Sequence, residues 1–309
     1  MTLRPFLKWV GGKRQLLPVL RRFYPQKVGA YFEPFLGSGA VFFDLAGRGA
    51  INGHGAVLSD DNPDLIGCYR RIRTSLDEVV ANLEELARDH TARGRDCYMD
   101  VRDERFNPRR AEWHRSGSDP DTYSAELAAM LIYLNRTGYN GLFRVNASGE
   151  FNVPPGRYDR PRIVDRSLLM RAAGALSADN VRLERGGFDR VLETATPGDF
   201  VYFDPPYAPL TRTANFRGYT GRGFGNDDQV ALQQVVIALA RRGVNVLLSN
   251  STAASVTGLY ENNGDAATAG LRALRVPARR AINSNAERRG AVEELLVSNI
   301  EPLPAARIL

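Results

Sequence analysis

Residues 28–60 of the chain read VGAYFEPFLGSGAVFFDLAGRGAINGHGAVLSD, and this stretch decides the predicted fold class. Its apolar start, residues 28–33, predicts a short strand, and residues 34–39 predict a glycine-bearing turn. Residues 40–46 then predict a helix, and residues 56–59 predict a second strand. A strand, a helix and another strand in this order indicate a parallel sheet, so we predict an α/β protein.

Strand and helix patterns alternate again from Val181 onward. Residues 200–203 predict a buried strand that ends at a double proline. Asn226 predicts the N-cap of a helix over residues 227–242. Further apolar runs predict the remaining strands of the same sheet, at residues 245–249, 271–276 and 294–298.

The region between these two halves is predicted to be helical. A helix over residues 123–134 is one prediction, and a polar stretch with breaks at Pro108 and Pro120 precedes it. An earlier amphipathic helix is indicated by apolar residues at helical spacing, namely Leu76, Val79, Val80, Leu83 and Leu86. Residues 135–162 are rich in glycine, asparagine and arginine, and residues 146–149 predict a hairpin tip. The glycine-rich residues 218–225 could be either a connector or a lid.

The composition is that of a folded protein, since 43% of the 309 residues are hydrophobic and 25% are charged. The length allows about two domains. The formal net charge of +6 favours polyanionic partners such as nucleic acid, although an arginine-rich surface can also reflect the coding bias of a genome.

Neither the cysteines nor the histidines predict a disulfide or a metal site. Cys68 and Cys97 form no Cys-x-x-Cys pair, and His54, His90 and His114 lack the spacing of metal ligands. The start of the chain lacks the apolar core of a signal peptide, and no apolar run is long enough to span a bilayer. We therefore expect no metal, no membrane partner and a cytoplasmic location.

The motif Asp204-Pro205-Pro206-Tyr207 is the most informative one for function. It places a carboxylate, a rigid backbone and an aromatic face at one strand end, which suits a planar ring that carries an amine. Tyr207 can stack on the ring, while Asp204 and the carbonyl of Pro205 can accept hydrogen bonds from its two N–H groups. The alternative is a proline-stiffened turn with the carboxylate in water and the tyrosine packed.

The glycine turn and the acidic residue after the second strand predict a nucleoside site. Gly37 and Gly39 let the backbone approach a ligand at a helix N-terminus. Phe42 replaces the third glycine of a dinucleotide fingerprint, and no P-loop Lys-Ser/Thr follows. Asp60 stands where a carboxylate binds ribose hydroxyls. S-adenosylmethionine fits such a site; the alternative is a tight turn without a ligand.

The two sites together predict methyl transfer to an exocyclic amine. The lone pair of this amine is delocalised into its ring, and hydrogen bonds to Asp204 and Pro205 would favour a pyramidal nitrogen aimed at a sulfonium methyl. Methylation of a ring carbon would instead need a cysteine nucleophile after a proline, and neither cysteine follows a proline.

The chain resembles the Dam-type family of DNA adenine N6-methyltransferases through several motifs in the same order. These are residues 6–13 (FLKWVGGK), 32–39 (FEPFLGSG), 135–158, 204–207 (DPPY), 208–216 and 279–296. The resemblance implies a Rossmann-like class I methyltransferase sheet with an inserted helical target-recognition domain that carries a β-hairpin. The catalytic, S-adenosylmethionine-binding domain would comprise residues 1–64 and 167–309, and the target-recognition domain residues 65–166.

The resemblance also implies roles for individual residues. S-adenosylmethionine, with S-adenosylhomocysteine as product, would be bound by Trp9, Gly12, Lys13, Glu33, Phe35, Gly37, Asp60 and Asp204. An adenine flipped out of the duplex would be bound by the catalytic residues Asp204, Pro205, Pro206 and Tyr207. DNA would be contacted by Lys8, Asn140, Leu142, Arg144, Asn152, Pro154, Arg157 and Tyr158.

The chemistry of the hairpin residues agrees with DNA binding. Arg144 has the fork that pairs with guanine in the major groove, and Asn140 can satisfy groups of an opened base pair. Leu142 could contact a thymine methyl, Tyr158 could insert between base steps, and Arg157 suits a phosphate. The alternatives are solvated charges for the arginines and core packing for Leu142 and Tyr158.

We therefore expect a site-specific DNA methyltransferase that acts on double-stranded DNA as a monomer; a restriction endonuclease could act alongside it. The resemblance of the hairpin to that of family members that read GATC implies GATC as the target. Two rivals are kept: a DNA-binding protein without catalysis, and an N-methyltransferase for RNA or a protein amide. A zinc-dependent base deaminase is excluded, because neither His-x-Glu nor Pro-Cys-x-x-Cys occurs.

Overall fold

The computed structural model describes residues 3–9, 11–51, 53–207, 224–279 and 291–304. Within them, seven strands form one sheet: β1 Tyr31–Glu33, β2 Ala56–Asp60, β3 Val181–Arg185, β4 Phe200–Phe203, β5 Asn245–Ser251, β6 Arg272–Arg279 and β7 Ala291–Ser298. The spatial order is β3-β2-β1-β4-β5-β7-β6. The first five strands are parallel, and β7 is antiparallel to β5 and β6. This topology confirms the predicted Rossmann-like α/β sheet.

The helices of the described residues surround the sheet and fill the region between β2 and β3. They are α1 Leu17–Leu20, α2 Ala40–Gly47, α3 Pro63–Thr74, α4 Leu76–Arg93, α5 Arg95–Asp100, α6 Asn107–Arg115, α7 Ala125–Thr137, α8 Arg166–Leu176, α9 Val191–Thr194, α10 Asn226–Arg241, α11 Ala254–Tyr260 and α12 Gly264–Thr268. Short 3-10 turns occupy Lys13–Gln15, Arg21–Phe23, Pro120–Thr122, Tyr139–Gly141 and Phe188–Arg190. Among the described residues, the helices are too short or too polar to cross a bilayer.

Alternation of side chains along the strands divides the apolar core in two. On β4, Phe200 and Tyr202 belong to one core, while Val201 and Phe203 belong to the other. The first core joins one face of the sheet to α2, α3 and the helical region as far as α7, and the second joins the other face to α10 and α11. Both faces of the parallel strands are therefore covered, as such a sheet requires.

The strand order reverses between β1 and β4, which places a crevice at their carboxyl ends. β1 pairs with β2 on its other side, and β4 pairs with β5. Ligands of open α/β sheets bind at such a reversal. Glu33 ends β1 and Asp204 follows β4, so the fold brings both predicted sites to one edge of the sheet.

Two element boundaries differ from those predicted. β1 starts only at Tyr31, because the amide of Gly29 donates to the carbonyl of Gly198 at 3.2 Å and that of Ala30 donates to Oδ1 of Asp199 at 2.8 Å. Asn226 is the first residue of α10 and not its N-cap. The cap position is taken by Gly225, whose amide donates to Oδ2 of Asp228 at 2.7 Å, so an acidic side chain satisfies the helix start.

Pro108 does not break a helix, contrary to the prediction, whereas the break at Pro120 is confirmed. Helical structure continues from α5 through a π-helical segment, Val101–Phe106, into α6, where Pro108 lies in the first turn. A proline ring clashes with the carbonyl of the fourth residue before it in an α-helix. The wider π-helical turn directly before it shifts that carbonyl and lets the chain continue.

The predicted hairpin is present and extends from the end of α7. The backbones of Val145 and Phe151, and those of Gly138 and Pro155, form antiparallel bridges. At the tip the amide of Gly149 donates to the Asn146 carbonyl at 3.0 Å, and this glycine has a φ of +80° that most other residues avoid. The predicted loop at residues 218–223 and the motif residues 208–216 and 280–285 lie outside the described residues.

Close packing of α3 against the segment before α7 yields a stability prediction. A Cβ on Gly67 would lie 2.5 Å from Cγ of Tyr123, whereas a Cβ on Gly174 in α8 would meet no atom within 4 Å. We expect Gly67→Ala to lower the free energy of unfolding by about 1–3 kcal/mol through overpacking. The control Gly174→Ala should raise it by about 0.5–1 kcal/mol. Urea unfolding measures both, and equal effects of the two variants would contradict the packing argument.

Candidate active site in the crevice between β1 and β4

Asp204 is the centre of a small buried polar cluster at the end of β4. Nζ of Lys13 lies 2.7 Å from its Oδ1, and Oγ of Ser249 lies 3.2 Å from the same oxygen. Burial raises the pKa of Asp204 to about 6, although the Lys13 ammonium and the Ser249 hydroxyl act to lower it. The carboxylate is therefore ionised at neutral pH and already bound to a cation.

Lys13 reaches this position from the turn that follows the N-terminal segment. The amide of Gly12 donates to the Trp9 carbonyl at 3.0 Å, and a Cβ on Gly12 would lie 2.9 Å from that carbonyl oxygen. The Lys13 side chain is only 3% exposed and also donates to the carbonyl of Gly11 at 2.8 Å. Its Nζ lies 4.6 Å from the centroid of the Tyr207 ring, a cation–π distance.

The motif Asp204-Pro205-Pro206-Tyr207, called the tetrad below, is fixed by side chains from α10, β5 and β7. The Tyr207 hydroxyl donates to Oε2 of Glu294 at 2.8 Å. Nε2 of Gln229 donates to the carbonyl of Pro206 at 3.3 Å, and Oε1 of the same glutamine accepts from Asn250 at 2.9 Å. Burial raises the pKa of Tyr207, and the carboxylates of Asp204 and Glu294 add to this rise, so its hydroxyl stays neutral. Pro205 is buried between these contacts.

The glycine turn after β1 is tied to Asp60 at the end of β2. The amide of Gly37 donates to Oδ2 of Asp60 at 3.0 Å, and the amide of Asn62 donates to Oδ1 at 3.0 Å. Gly37 has a φ of +47°, and a Cβ there would lie 2.9 Å from Cδ1 of Trp9. A side chain at this position would therefore collide with the indole that the N-terminal segment brings to the crevice.

The acidic residues of the crevice are held in an environment that disfavours their charge. Burial raises the pKa of Asp60 to about 6, despite the amides of Asn62 and Gly37 that lower it. Glu33 is 2% exposed, and its Oε2 accepts from the Tyr31 hydroxyl at 2.9 Å and from the Phe42 amide at 3.0 Å. Burial raises its pKa to about 8, and the negative charges of Asp204 and Asp60 add to this rise.

Phe35 forms an aromatic cluster on the same edge of the sheet with two residues that the sequence analysis missed. Its ring is stacked on that of Phe188, with centroids 5.5 Å apart, and meets the edge of Phe224 at 5.6 Å. Phe188 lies three residues beyond the end of β3, and this position after a third parallel strand was the signal that could have indicated it.

Lys8 and Tyr158, both predicted to contact DNA, lie against each other. Nζ of Lys8 lies 3.3 Å from the Tyr158 hydroxyl and 4.4 Å from the centroid of its ring. The Lys8 backbone is held by Asn135, whose side chain accepts from its amide at 2.8 Å and donates to its carbonyl at 2.7 Å. Tyr158 is 38% exposed, so it is available at the surface instead of packed in the core.

The remaining hairpin residues divide between surface and support. Arg144 is exposed, and its guanidinium donates to Oδ1 of Asn152 at 2.7 Å and to the Asn152 carbonyl at 3.1 Å. Asn140 adopts a φ of +54° in a tight turn, and Leu142 is half-buried against the first core. Pro154, in the second strand of the hairpin (the return strand, residues 150–155), and Arg157 beyond it are both exposed.

The two cysteines and one cavity of the described residues lie apart from this site. Cys68 and Cys97 are both buried in the first core, where burial raises the pKa of each thiol. A separate cavity borders the strand ends and contains none of the predicted site residues; its walls include Phe32, Pro34, Val57, Ser59, Glu184 and Arg190. Ser249, Gln229 and Glu294, which surround the tetrad, were not assigned roles from the sequence.

The raised pKa of Glu33 predicts how the free energy of unfolding changes with pH. Between pH 4.5 and about 8 the folded chain binds a proton that the unfolded chain has lost, so wild-type stability falls as the pH rises. Glu33→Gln removes this loss, and the stability of the variant relative to wild type should grow with pH by at most about 1.4 kcal/mol per pH unit. Urea unfolding of both proteins across that range measures the difference; parallel curves would contradict it.

The comparisons with known proteins agree with this geometry. Residues 9–281 match the model of the D12 class N6 adenine-specific DNA methyltransferase family. The type II methyltransferase M1.LlaDCHI of Lactococcus lactis subsp. cremoris is 36% identical over 97% of this chain and 96% of its own length. The type II methyltransferase M.MjaIII of Methanocaldococcus jannaschii is 36% identical over 97% of this chain and 100% of its own length. The DNA adenine methylase of Escherichia coli is 35% identical over 95% of this chain and 94% of its own length. With its sheet order and its Asp-Pro-Pro-Tyr crevice, the chain belongs to the D12 class of N6 adenine-specific DNA methyltransferases.

Proposed function

We propose that the protein transfers a methyl group from S-adenosylmethionine to N6 of an adenine flipped out of double-stranded GATC. The observation that carries this proposal is the position of the Lys13 ammonium. It donates to the Asp204 carboxylate at 2.7 Å and lies 4.6 Å from the Tyr207 ring centroid, so a nitrogen with N–H donors already occupies the space between carboxylate and aromatic face.

The amine of adenine has the same requirements as this ammonium. It offers two N–H donors, one for Asp204 and one for the carbonyl of Pro205, while its ring stacks on Tyr207. To bind there, the amine must replace Lys13 at the carboxylate. Lys13 keeps its bond to the Gly11 carbonyl and would turn to the methionine carboxylate of the cofactor together with Trp9 and Gly12.

The residues of the tetrad act on the reactivity of the amine nitrogen. Hydrogen bonds to Asp204 and Pro205 draw its lone pair out of conjugation and orient it, which supplies proximity and electrostatic stabilisation. The nitrogen gains a methyl group and must lose one proton, and Asp204 is the nearest carboxylate to accept it. Glu294 and Gln229 keep Tyr207 and Pro206 in place, so the site needs little rearrangement.

The cofactor fits the other half of the crevice. Gly37 lets the Trp9 indole lie directly against the turn, Asp60 presents a carboxylate for ribose hydroxyls, and Phe35 offers an aromatic face for an adenine ring. Glu33 completes this wall between Asp60 and Asp204. When bound, S-adenosylmethionine supplies a methyl group activated by a positively charged sulfur.

We further propose that residues 65–166 form the target-recognition region and residues 1–64 and 167–309 the catalytic region. GATC is inferred from the hairpin, where Arg144 would contact guanine with Asn152 as its support, and where Lys8 and Tyr158 would meet the opened pair. The other predicted contacts, Asn140, Leu142, Pro154 and Arg157, would line the duplex beside them.

The names and sources of the relatives support a proposal for the setting of the reaction. Two of them are named type II methyltransferases, which supports pairing with a restriction endonuclease. All of those described come from bacteria or an archaeon, whose DNA lies in the cytoplasm, and we place the protein there. A monomer is sufficient, because one visit modifies one strand.

Transfer of labelled methyl groups from S-adenosylmethionine to duplexes tests the proposal. We expect GATC duplexes to be labelled at adenine N6 and single-base variants to be labelled much less. Asp204→Ala should lower the turnover rate by at least about 100-fold, because it removes a transition-state hydrogen-bond acceptor. The control Asp265→Ala alters an exposed ion pair with Arg241 and should behave as wild type. Equal labelling of the GATC duplex and of every single-base duplex by the wild-type protein would contradict the site preference.

Arg144 supplies a separate prediction on base choice. Arg144→Ala should weaken discrimination at a single guanine position by about 1–3 kcal/mol, which is a change of about 5- to 150-fold in the ratio of kcat/KM values. The other positions should keep their discrimination. Arg241→Ala, on the far side of the sheet in α10, is the control. A uniform loss across all duplexes would instead indicate a phosphate contact.

A further inference from the structure

Side chains of helix α6 form hydrogen bonds with the backbone of the hairpin. The side-chain amide of Asn107 donates to the Phe151 carbonyl at 3.0 Å and accepts from the Phe151 amide at 2.8 Å, as a neighbouring strand would. One turn later, Nη1 of Arg110 donates to the carbonyl of Gly149 at the hairpin tip. The return strand therefore has its partner in the side chains of a helix.

The preceding helical turns continue this support along the same strand. The Tyr98 hydroxyl and Nη1 of Arg102 both donate to the Val153 carbonyl, at 2.9 and 3.0 Å. Gly149 lies in the turn at the hairpin tip, and the supported residues Phe151 and Val153 alternate along the second strand of the hairpin. Since side chains at alternate positions point to opposite sides, Glu150, Asn152 and Pro154 are directed away from the core, where Asn152 contacts Arg144.

Arg110 also connects the hairpin tip to the cofactor half of the chain. Its Nε lies 2.9 Å from both oxygens of Asp64, and its Nη2 lies 2.8 Å from Oδ2. Asp64 is fully buried in the first turn of α3. Burial acts to raise the pKa of Asp64, but His114 and Arg110 together lower it by more. The pKa therefore lies below its ordinary value, and the carboxylate remains charged.

From Asp64 the contacts continue to the glycine turn. Oδ1 of Asn62 accepts from the Asp64 amide at 3.1 Å, and the Asn62 amide donates to Asp60 at 3.0 Å. Asp60 accepts in turn from Gly37 at 3.0 Å. Hydrogen bonds through Asp60, Asn62 and Asp64, which follow one another at the end of β2 and the start of α3, thus connect Gly37 to Arg110.

A second route reaches the same guanidinium through aromatic rings. Cζ of Arg110 lies 5.8 Å from the centroid of the Phe143 ring, one residue before Arg144. The Phe143 ring is stacked on Trp9, with centroids 5.8 Å apart. Arg110 therefore contacts the tip and the first strand of the hairpin and, through Asp64 and Phe143, the two segments that surround the glycine turn.

We propose that Arg110 and Asn107 are positioning residues for base selection, which fix the reading hairpin to the cofactor-binding edge without touching DNA or cofactor. This inference rests on the proposed role of the hairpin as the DNA-reading element. The guanidinium is suited to this because its fork can bind a carboxylate and a carbonyl at once, which an ammonium cannot do with the same geometry.

The test compares variants that remove the two contacts separately. Arg110→Lys keeps a positive charge beside buried Asp64 but lacks the second arm to Gly149, and Asn107→Ala removes the contacts to Phe151 without exposing Asp64. We expect each to lower the ratio of kcat/KM for the preferred duplex to that for single-base variants by about three- to thirtyfold. The turnover of the preferred duplex at saturation should change much less than this ratio.

Two controls separate positioning from stability. Arg109→Lys changes the neighbouring residue of α6, which is 45% exposed and paired with Glu126, and should leave selectivity unchanged. Val236→Ala removes buried volume from the second core, on the opposite face of the sheet, and should lower Tm without altering selectivity. The melting temperatures of all variants are measured beside the kinetics.

The outcomes are distinct. Loss of selectivity in the α6 variants, with selectivity kept in Val236→Ala at a similar Tm, supports the inference. If Arg110→Lys does not fold, Asn107→Ala decides alone. Unchanged selectivity, or an equal loss on every duplex, overturns the positioning role. A wild-type protein that labels all duplexes equally would instead overturn the proposed function, and this is visible before any variant is compared.

Discussion

The ion pair between Lys13 and Asp204 is the interaction on which the crevice depends. It joins the N-terminal segment to the end of β4, and its lysine is 3% exposed. Removing either charge would leave the other without its counter-charge, with the Gly11 carbonyl as a partner for Lys13 and the Ser249 hydroxyl as a partner for Asp204, which is costly. The pair also keeps an N–H donor where a substrate amine is expected. Binding can thus exchange one donor for another without exposing the carboxylate to an empty, apolar space.

The three acidic residues of the crevice share a second property, since burial raises the pKa of Glu33, Asp60 and Asp204. Burial is the largest cause of each rise, and it disfavours the ionised carboxylates in the free protein. A ligand that offers hydrogen-bond donors or a positive charge would stabilise these ionised forms. The proposed cofactor would offer ribose hydroxyls and a positively charged sulfur, and the proposed substrate amine would offer N–H donors.

The hairpin depends on a different constraint. Two isolated bridges and a few backbone hydrogen bonds pair its strands in the described residues, and side chains of α5, the π-helical segment and α6 bind the other edge of its second strand. A short hairpin is marginal on its own. The helix therefore supplies what a third strand would supply in a sheet, while the outward side chains stay available at the surface.

The amino-acid sequence alone determined the sheet and the helical insert. These follow from local causes: strand, turn and helix patterns over residues 28–60, the apolar run at residues 200–203, and helical spacing from Leu76 to Leu86. Residue types at strand ends and turns indicated Asp204, Asp60 and Gly37, whereas the resemblance to a family was what implied Trp9, Gly12, Lys13 and Glu33. The tertiary structure decided the partners. Glu294 at Tyr207, Phe188 at Phe35 and Arg110 between Asp64 and the hairpin are contacts between distant segments, which no local pattern contains. The pKa values of Glu33 and Asp204 depend likewise on what the fold places around them. Pro108 shows the limit of local rules, because a π-helical turn accommodated a residue that ordinarily ends a helix. Periodicity reports which face of an element is buried, but only packing selects the groups that meet there.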